Sequence, residues 1–235
     1  MTAGRVTGRG GAGKTRVKTA RRRSAQSTRW LQRQLDDPYV KAAKARGYRS
    51  RAAFKLLELD ERHGLLAGRH RIVDLGAAPG GWTQVVRERR PQAAVVAIDL
   101  LDMDAIDGAT ALKMDFMDDA APDALLADLG GAPDLILSDM AANTIGHRQT
   151  DHLRTMALVE AAADFAFRTL ETGGAFVAKV LAGGADDALV AQLRREFTKV
   201  KHVKPPASRK GSSEWYVVAT GRKPVAPEPD EPGEV

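Results

Sequence analysis

Cysteine is absent from the 235 residues. That removes disulfides, thiolate metal sites and any cysteine nucleophile. Aromatic side chains make up only 5% of the chain. Long hydrophobic runs are missing too: the longest, such as DLIL at 134–137 and AFVA at 175–178, are strand-sized. A membrane span is therefore not expected. The first residues lack the hydrophobic stretch of a secretory signal, so none is expected. Five histidines are present, and only His147 and His152 come close to a ligand spacing. They read as surface residues, and no metal is expected.

What is present points to one α/β domain of ordinary size, since 235 residues at 43% apolar content can bury a real core. The net charge of +6 is unevenly spread. Residues 1–28 hold eight Lys or Arg and no acid, and residues 29–55 hold eight more against Asp36 and Asp37. The rest of the domain, 56–222, sums to −5, and the tail 223–235 to −3. Basic charge thus gathers at the N-terminal end of a mildly acidic body, a face suited to a phosphate polymer. Composition alone is met equally well by a solvated arm.

Residues 1–28 and the Pro- and acid-rich tail 223–235 have almost no apolar side chains and read as disordered. An Arg-rich N-terminus also fits an organellar transit peptide, but it lacks an amphipathic face, so a bacterial cytoplasm is expected. Between arm and tail, a domain over 29–222 alternates strand and helix patterns. Strands are expected at 71–74, 94–100, 134–139, 174–180 and 215–220. A helix is expected over 83–89, and another where Met156, Val159, Ala163, Ala166 and Leu170 recur at helical spacing. This alternation predicts a mostly parallel sheet covered on both faces. Gly8–Thr15 (GRGGAGKT) fits the P-loop pattern, yet no strand precedes it and no amphipathic helix follows, so it is set aside.

The strongest local signal is VDLGAAPGGW at 73–82, a Gly-rich turn between a strand and a helix. Ligands approach the backbone at that edge of an α/β sheet. The spacing is not G-x-G-x-x-G, and Pro79 lacks an amide that a pyrophosphate site would use. Asp99 ends the next strand, where a carboxylate can accept both ribose hydroxyls. Asp115 lies in the following KMDF segment, where it could hydrogen-bond an adenine amino group. A cationic, phosphate-free nucleoside such as S-adenosylmethionine suits these acids better than an anionic dinucleotide. NAD is the lesser alternative, and a tight turn with surface acids is the plain structural one.

Asp139 also ends a strand. Lys179 sits in an apolar strand between Ala178 and Val180, where it is either a lysine snorkelling at the core edge or a catalytic group. Glu214 opens the last β-rich run. Lys55 lies on a helix that Ser50 is placed to cap. There Arg51, Lys55, Glu58 and Arg62 form one stripe opposite Ala53, Phe54, Leu56 and Leu57, and taken alone that stripe reads as a solvated face.

Over 28–223 the chain resembles the FtsJ/RrmJ (RlmE-type) family of 23S ribosomal RNA uridine 2′-O-methyltransferases. The matching segments are STRWLQ at 27–32, RSRAAFKL at 49–56, VDLGAAPGGW at 73–82, SDMA at 138–141, Lys179-Val180 and VATGRK at 218–223. The resemblance implies a Rossmann-like S-adenosylmethionine-dependent methyltransferase fold, a mostly parallel seven-stranded sheet with helices on both faces. It implies a catalytic tetrad of Lys55, Asp139, Lys179 and Glu214. Cofactor contacts fall on Gly80, Trp82, Asp99, Asp115 and Asp139. The implied substrate is a uridine in the A-loop of 23S rRNA within the 50S particle, and a cytoplasmic monomer is expected. Two departures stand out: Ala142 replaces the proline usual in S-D-M-A-P-N, and Trp215 follows the glutamate where a β-branched residue is common.

The implied reaction passes a sulfonium methyl in line to a ribose 2′-oxygen. Lys179 would orient the hydroxyl and take its proton, aided by burial beside cationic Lys55 and the sulfonium. Residues 29–55 and the basic arm would hold RNA phosphates. Pyrimidine C5-methylation is disfavoured by the missing cysteine, and base-nitrogen methylation by the missing [DN]-P-P-[YFW] motif. A tRNA ribose 2′-O-methyltransferase and a non-catalytic ribosome-assembly RNA-binding factor are the alternatives.

Overall fold

The computed structural model describes residues 35–142, 146–181 and 187–224. The basic arm, the P-loop-like segment and the tail beyond 224 lie outside them. Helix α1 (Pro38–Arg46) is capped by Asp37, whose carboxylate accepts from the Tyr39 amide at 3.0 Å, and Pro38 occupies the first turn. Helix α2 (Ala52–His63) follows. It lacks the expected serine cap, because Arg51 occupies the capping position with helical dihedrals. The Ser50 hydroxyl instead faces Gly81, and no side-chain cap is made.

The remaining elements are β1 (Arg71–Leu75), α3 (Gly81–Arg89), β2 (Ala94–Asp99), β3 (Thr110–Lys113), α4 (Ala121–Leu129), β4 (Leu135–Ser138), α5 (Arg148–Thr169), β5 (Ala175–Leu181), α6 (Asp187–Glu196), β6 (Phe197–Val203) and β7 (Glu214–Arg222). They form a seven-stranded sheet in the order β3-β2-β1-β4-β5-β7-β6. Every neighbouring pair is parallel except the two that involve β7. The expected mostly parallel sheet with helices on both faces is what forms.

Period-2 alternation sorts each strand between two cores. Val73, Leu75, Ile136, Phe176, Ala178 and Val217 pack with α4, α5 and α6. Ile72, Leu135, Leu137, Val177, Tyr216 and Val218 pack with α2 and α3 through Leu56, Leu57, Trp82 and Val85. The short β3 exposes most of its residues, and β6 exposes Thr198, Lys199, Lys201 and His202 along an open edge. Lysines on such an edge discourage pairing with another sheet.

Candidate active site

The strand order reverses between β1 and β4. The crevice beyond their carboxyl ends is where an α/β sheet of this kind binds ligands. The turn after β1 fills one wall. Gly76 has φ +73, and a Cβ there would come within 2.8 Å of the Met140 Cα, so only glycine fits against the loop after β4.

Alternation then dictates which side chains meet. Asp139 is two residues beyond Leu137, Lys179 two beyond Val177, and Glu214 and Tyr216 precede Val218 by four and two. All therefore fall on the α2–α3 side of the sheet. The β5–β7 register sets Lys179 opposite Tyr216 and Leu181 opposite Glu214. Lys55 descends from α2 onto the same spot. Its ammonium lies 3.7 Å from Asp139 Oδ2 and 3.5 Å from Glu214 Oε2. Lys179 Nζ lies 3.2 Å from Asp139 Oδ1 and donates to the Asp139 carbonyl. The four residues implied by the resemblance are thus brought together around one carboxylate.

Lys55, on a stripe that reads as solvated, is only 7% exposed. The reason lies far along the chain: the loop 204–213 covers the stripe. Arg51 donates to the Ala207 carbonyl, and the Ala207 amide donates to Glu58 at 2.6 Å. Arg51 also pairs with Asp37.

Tyr216 was not singled out from the sequence, yet its buried hydroxyl donates to Asp139 Oδ1 at 2.6 Å. Lys55 Nζ lies 5.6 Å from its ring centroid. Burial pushes the Tyr216 phenol well above its usual value, and the Asp139 charge pushes it further, so it stays a donor. Burial alone would raise the Asp139 carboxyl. Lys179, Lys55 and the Tyr216 hydroxyl outweigh that and hold it below the usual carboxylate range.

Asp74 also belongs to the site, and an acid inside an apolar strand is a signal the sequence carries. It is fully buried, with Oδ2 accepting from Thr83 at 2.7 Å and Oδ1 unpartnered. Burial, reinforced by Asp139 and Asp99 and opposed by the Thr83 hydrogen bond, pushes it up to about 7.

Two cavities meet at Gly76, Ala78 and Asp139. The smaller, about 250 Å³, contains Lys55, Asp74, Asp139 and Glu214, with Arg51 and Arg209 at its walls. The larger, about 510 Å³, runs over the other side of the turn past Asp99, Asp115, Phe116 and Met140. Asp99 accepts from the Ala78 and Leu101 amides at 2.9 Å each, and the exposed Asp115 accepts from Met117. Ala142, at the position where proline is usual, lies on the wall of the larger cavity.

Two of the implied cofactor contacts stand apart from that cavity. Trp82 lines the smaller one, with its indole N–H on the Ala52 carbonyl at 2.8 Å and its ring 5.7 Å from Tyr216. Gly80 lies between Arg49, Met103 and Ile106, and a Cβ there would meet Ile106 Cδ1 at 2.7 Å. Its φ of +103 starts α3.

The sheet order, the glycine turn at its switch point and the acid-lined crevice define a Rossmann-like α/β methyltransferase. The chain belongs to the FtsJ-like methyltransferase family, whose model matches residues 48–222. It is 67% identical over 222 residues to a protein of Sphingopyxis alaskensis named ribosomal RNA large subunit methyltransferase E, covering 94% of this chain and 96% of that one. A protein of the same name from Erythrobacter litoralis is 69% identical over 208 residues, covering 88% and 94%. A crystal structure from Plasmodium falciparum, described as a ribosomal RNA methyltransferase, superposes with a TM-score of 0.64 at 31% identity, over 74% of this chain and 98% of that one.

Proposed function

We propose that this chain methylates the 2′-hydroxyl of a uridine in large-subunit ribosomal RNA, in the A-loop of 23S rRNA in the 50S particle, using S-adenosylmethionine in the cytoplasm. The observation that carries this reading is the meeting of Lys55, Asp139, Lys179 and Glu214 where the two cavities join. The names of the relatives support the substrate class.

The residues fit the cofactor. The larger cavity offers apolar walls of Ile98, Met114, Phe116 and Met140, with carboxylates at Asp99 and Asp115 for ribose hydroxyls and an amino group. The unpartnered Asp74 oxygen at the turn is an acceptor suited to an ammonium group. S-adenosylmethionine supplies a methyl on a positive sulfur, already electrophilic, so the protein's work is placement and proton handling.

Lys179 is built for both tasks. Two of the three hydrogen-bonding positions on Nζ go to Asp139, its carbonyl and its carboxylate. The third is left for the ribose oxygen. S-adenosylmethionine would supply the methyl, and Lys179, in its neutral form with two N–H groups on Asp139, would turn its lone pair to the ribose hydroxyl, take that proton and release it to water. Asp139, held anionic, fixes both lysines, and Glu214 steadies Lys55. Arg209, on the wall of the smaller cavity with its side chain 39% exposed, offers a cationic contact for RNA phosphates.

Mass-spectrometric mapping of ribose methylation in rRNA and tRNA, in cells with and without this protein, tests the proposal. A single 2′-O-methyluridine should vanish from 23S rRNA when the protein is removed. Loss from tRNA alone would move the substrate to tRNA, and no loss anywhere would leave a non-catalytic assembly factor.

A further inference from the structure

Trp215 is unlike the other large exposed hydrophobic residues. Among the described residues these are Leu100, Leu101, Met117, Leu153 and Trp215, and Trp215 alone is aromatic. It directly follows Glu214 in β7, so alternation turns it to the opposite face of the sheet. It sits opposite Val180, at the same edge as the crevice, and remains 37% exposed.

Lys204 is placed beside it by register. Val203 pairs with Tyr216 in the β6–β7 ladder, which brings the next residue along β6 level with Trp215. Its ammonium lies 5.8 Å from the indole centroid and is held by the Ser212 carbonyl at 2.6 Å. The loop 204–213 also carries Arg209 and Lys210 and contains no acid. An exposed indole beside a fixed cation, in an acid-free loop, matches a polyanion that presents flat apolar surfaces. Nucleobases on an RNA strand are such surfaces.

We propose that Trp215 and Lys204 form a stacking platform for the nucleobase adjoining the modified nucleotide, the indole taking the base and the ammonium the phosphate between the two. The inference rests on the reading of this chain as an RNA ribose methyltransferase. A strand that crosses the tip of β7 puts the target ribose beside Glu214 on one side. Its neighbour then lies over Trp215 on the other. The platform binds RNA and takes no part in the methyl transfer itself.

Steady-state kinetics of the full chain on large ribosomal subunits that lack the modification read the platform as a split between KM and kcat. Trp215→Ala should raise KM for RNA about tenfold, the size of one lost base stack, while kcat falls less than about twofold. Trp215→Phe, which keeps a ring, should recover most of the loss, and Trp215→Val should not. Intrinsic fluorescence with a single-stranded oligoribonucleotide gives a second readout: binding should quench the native chain more than Trp215→Phe. A Trp215→Ala KM within twofold of native, a loss confined to kcat, or equal quenching in native and Trp215→Phe chains would each overturn the platform. A native chain that methylates no rRNA would sink the functional reading first, while the quenching still reports on the platform.

Discussion

The two cavities that meet at Gly76 are built in opposite ways. The smaller is walled by charge: two lysines surround Asp139 and Tyr216 bonds it, so the carboxylate at its centre is partnered before any ligand arrives. The larger is walled mostly by apolar side chains, and its two carboxylates are held by backbone amides that leave lone pairs free. Chemistry needs groups whose positions and ionisation are set in advance, whereas binding needs shape with a few open acceptors. Asp139 and Asp74 show the same contrast at one residue each. Both lie on the α2–α3 side, Asp74 fully buried and Asp139 partly so. Lys179 and Lys55 draw the first down, and burial without a cation drives the second up to about 7.

The division between the cavities is sharpest for Lys179→Ala. It should cut kcat by at least about a thousandfold, as expected for a group that orients and deprotonates the nucleophile, while calorimetry finds cofactor affinity nearly native. Substantial residual turnover would remove Lys179 from the chemistry. Asp99→Ala should do the reverse and weaken cofactor binding about 10- to 100-fold through the lost charged hydrogen bonds. Turnover at saturating cofactor should survive in that variant. A collapse of kcat with an unchanged Kd would erase the distinction.

Asp74 gives a subtler test, through pH. In the folded chain it keeps its proton up to about 7, against an ordinary value of 3.8. Between those values the folded state holds a proton that the unfolded state has lost. Stability should therefore fall as pH rises from about 4 to about 7 and then level off. Urea melts of Asp74→Asn should lack that fall. Cofactor affinity should tighten as pH rises through about 7 and Asp74 becomes an anion. Asp74→Asn should cost about tenfold in affinity at pH 8 and much less at pH 6. A parallel pH profile in both chains would acquit Asp74. The smallest effect belongs to Tyr216→Phe, which removes one hydrogen bond to Asp139 and should lower kcat about fivefold, or roughly 1 kcal/mol. A native rate would mean that the two lysines hold Asp139 by themselves.

Much of this was legible in the residues because it is local. VDLGAAPGGW announces a strand, a turn and a helix by its own composition, and the strands β1, β2, β4, β5 and β7 are all apolar runs. β3 and β6 escaped notice because edge strands expose their side chains and carry little apolar signal. The Ser50 cap failed for a different reason. Capping geometry depends on the dihedrals of the preceding turn, and the packing of that turn against Gly81 took the hydroxyl elsewhere.

The α/β class, the glycine turn and the set of residue types available for chemistry can be read from the order of residues alone. These follow from side-chain periodicity and backbone preference over a few neighbouring positions. It takes the packed fold to bury Lys55, to bond Tyr216 to Asp139, to brace α2 with Trp82 and to leave one Asp74 oxygen free. Each of those depends on strand register or on a loop such as 204–213, more than a hundred residues from the helix it covers. Short-range pattern says which face a side chain takes, and only the packed sheet says what meets it there.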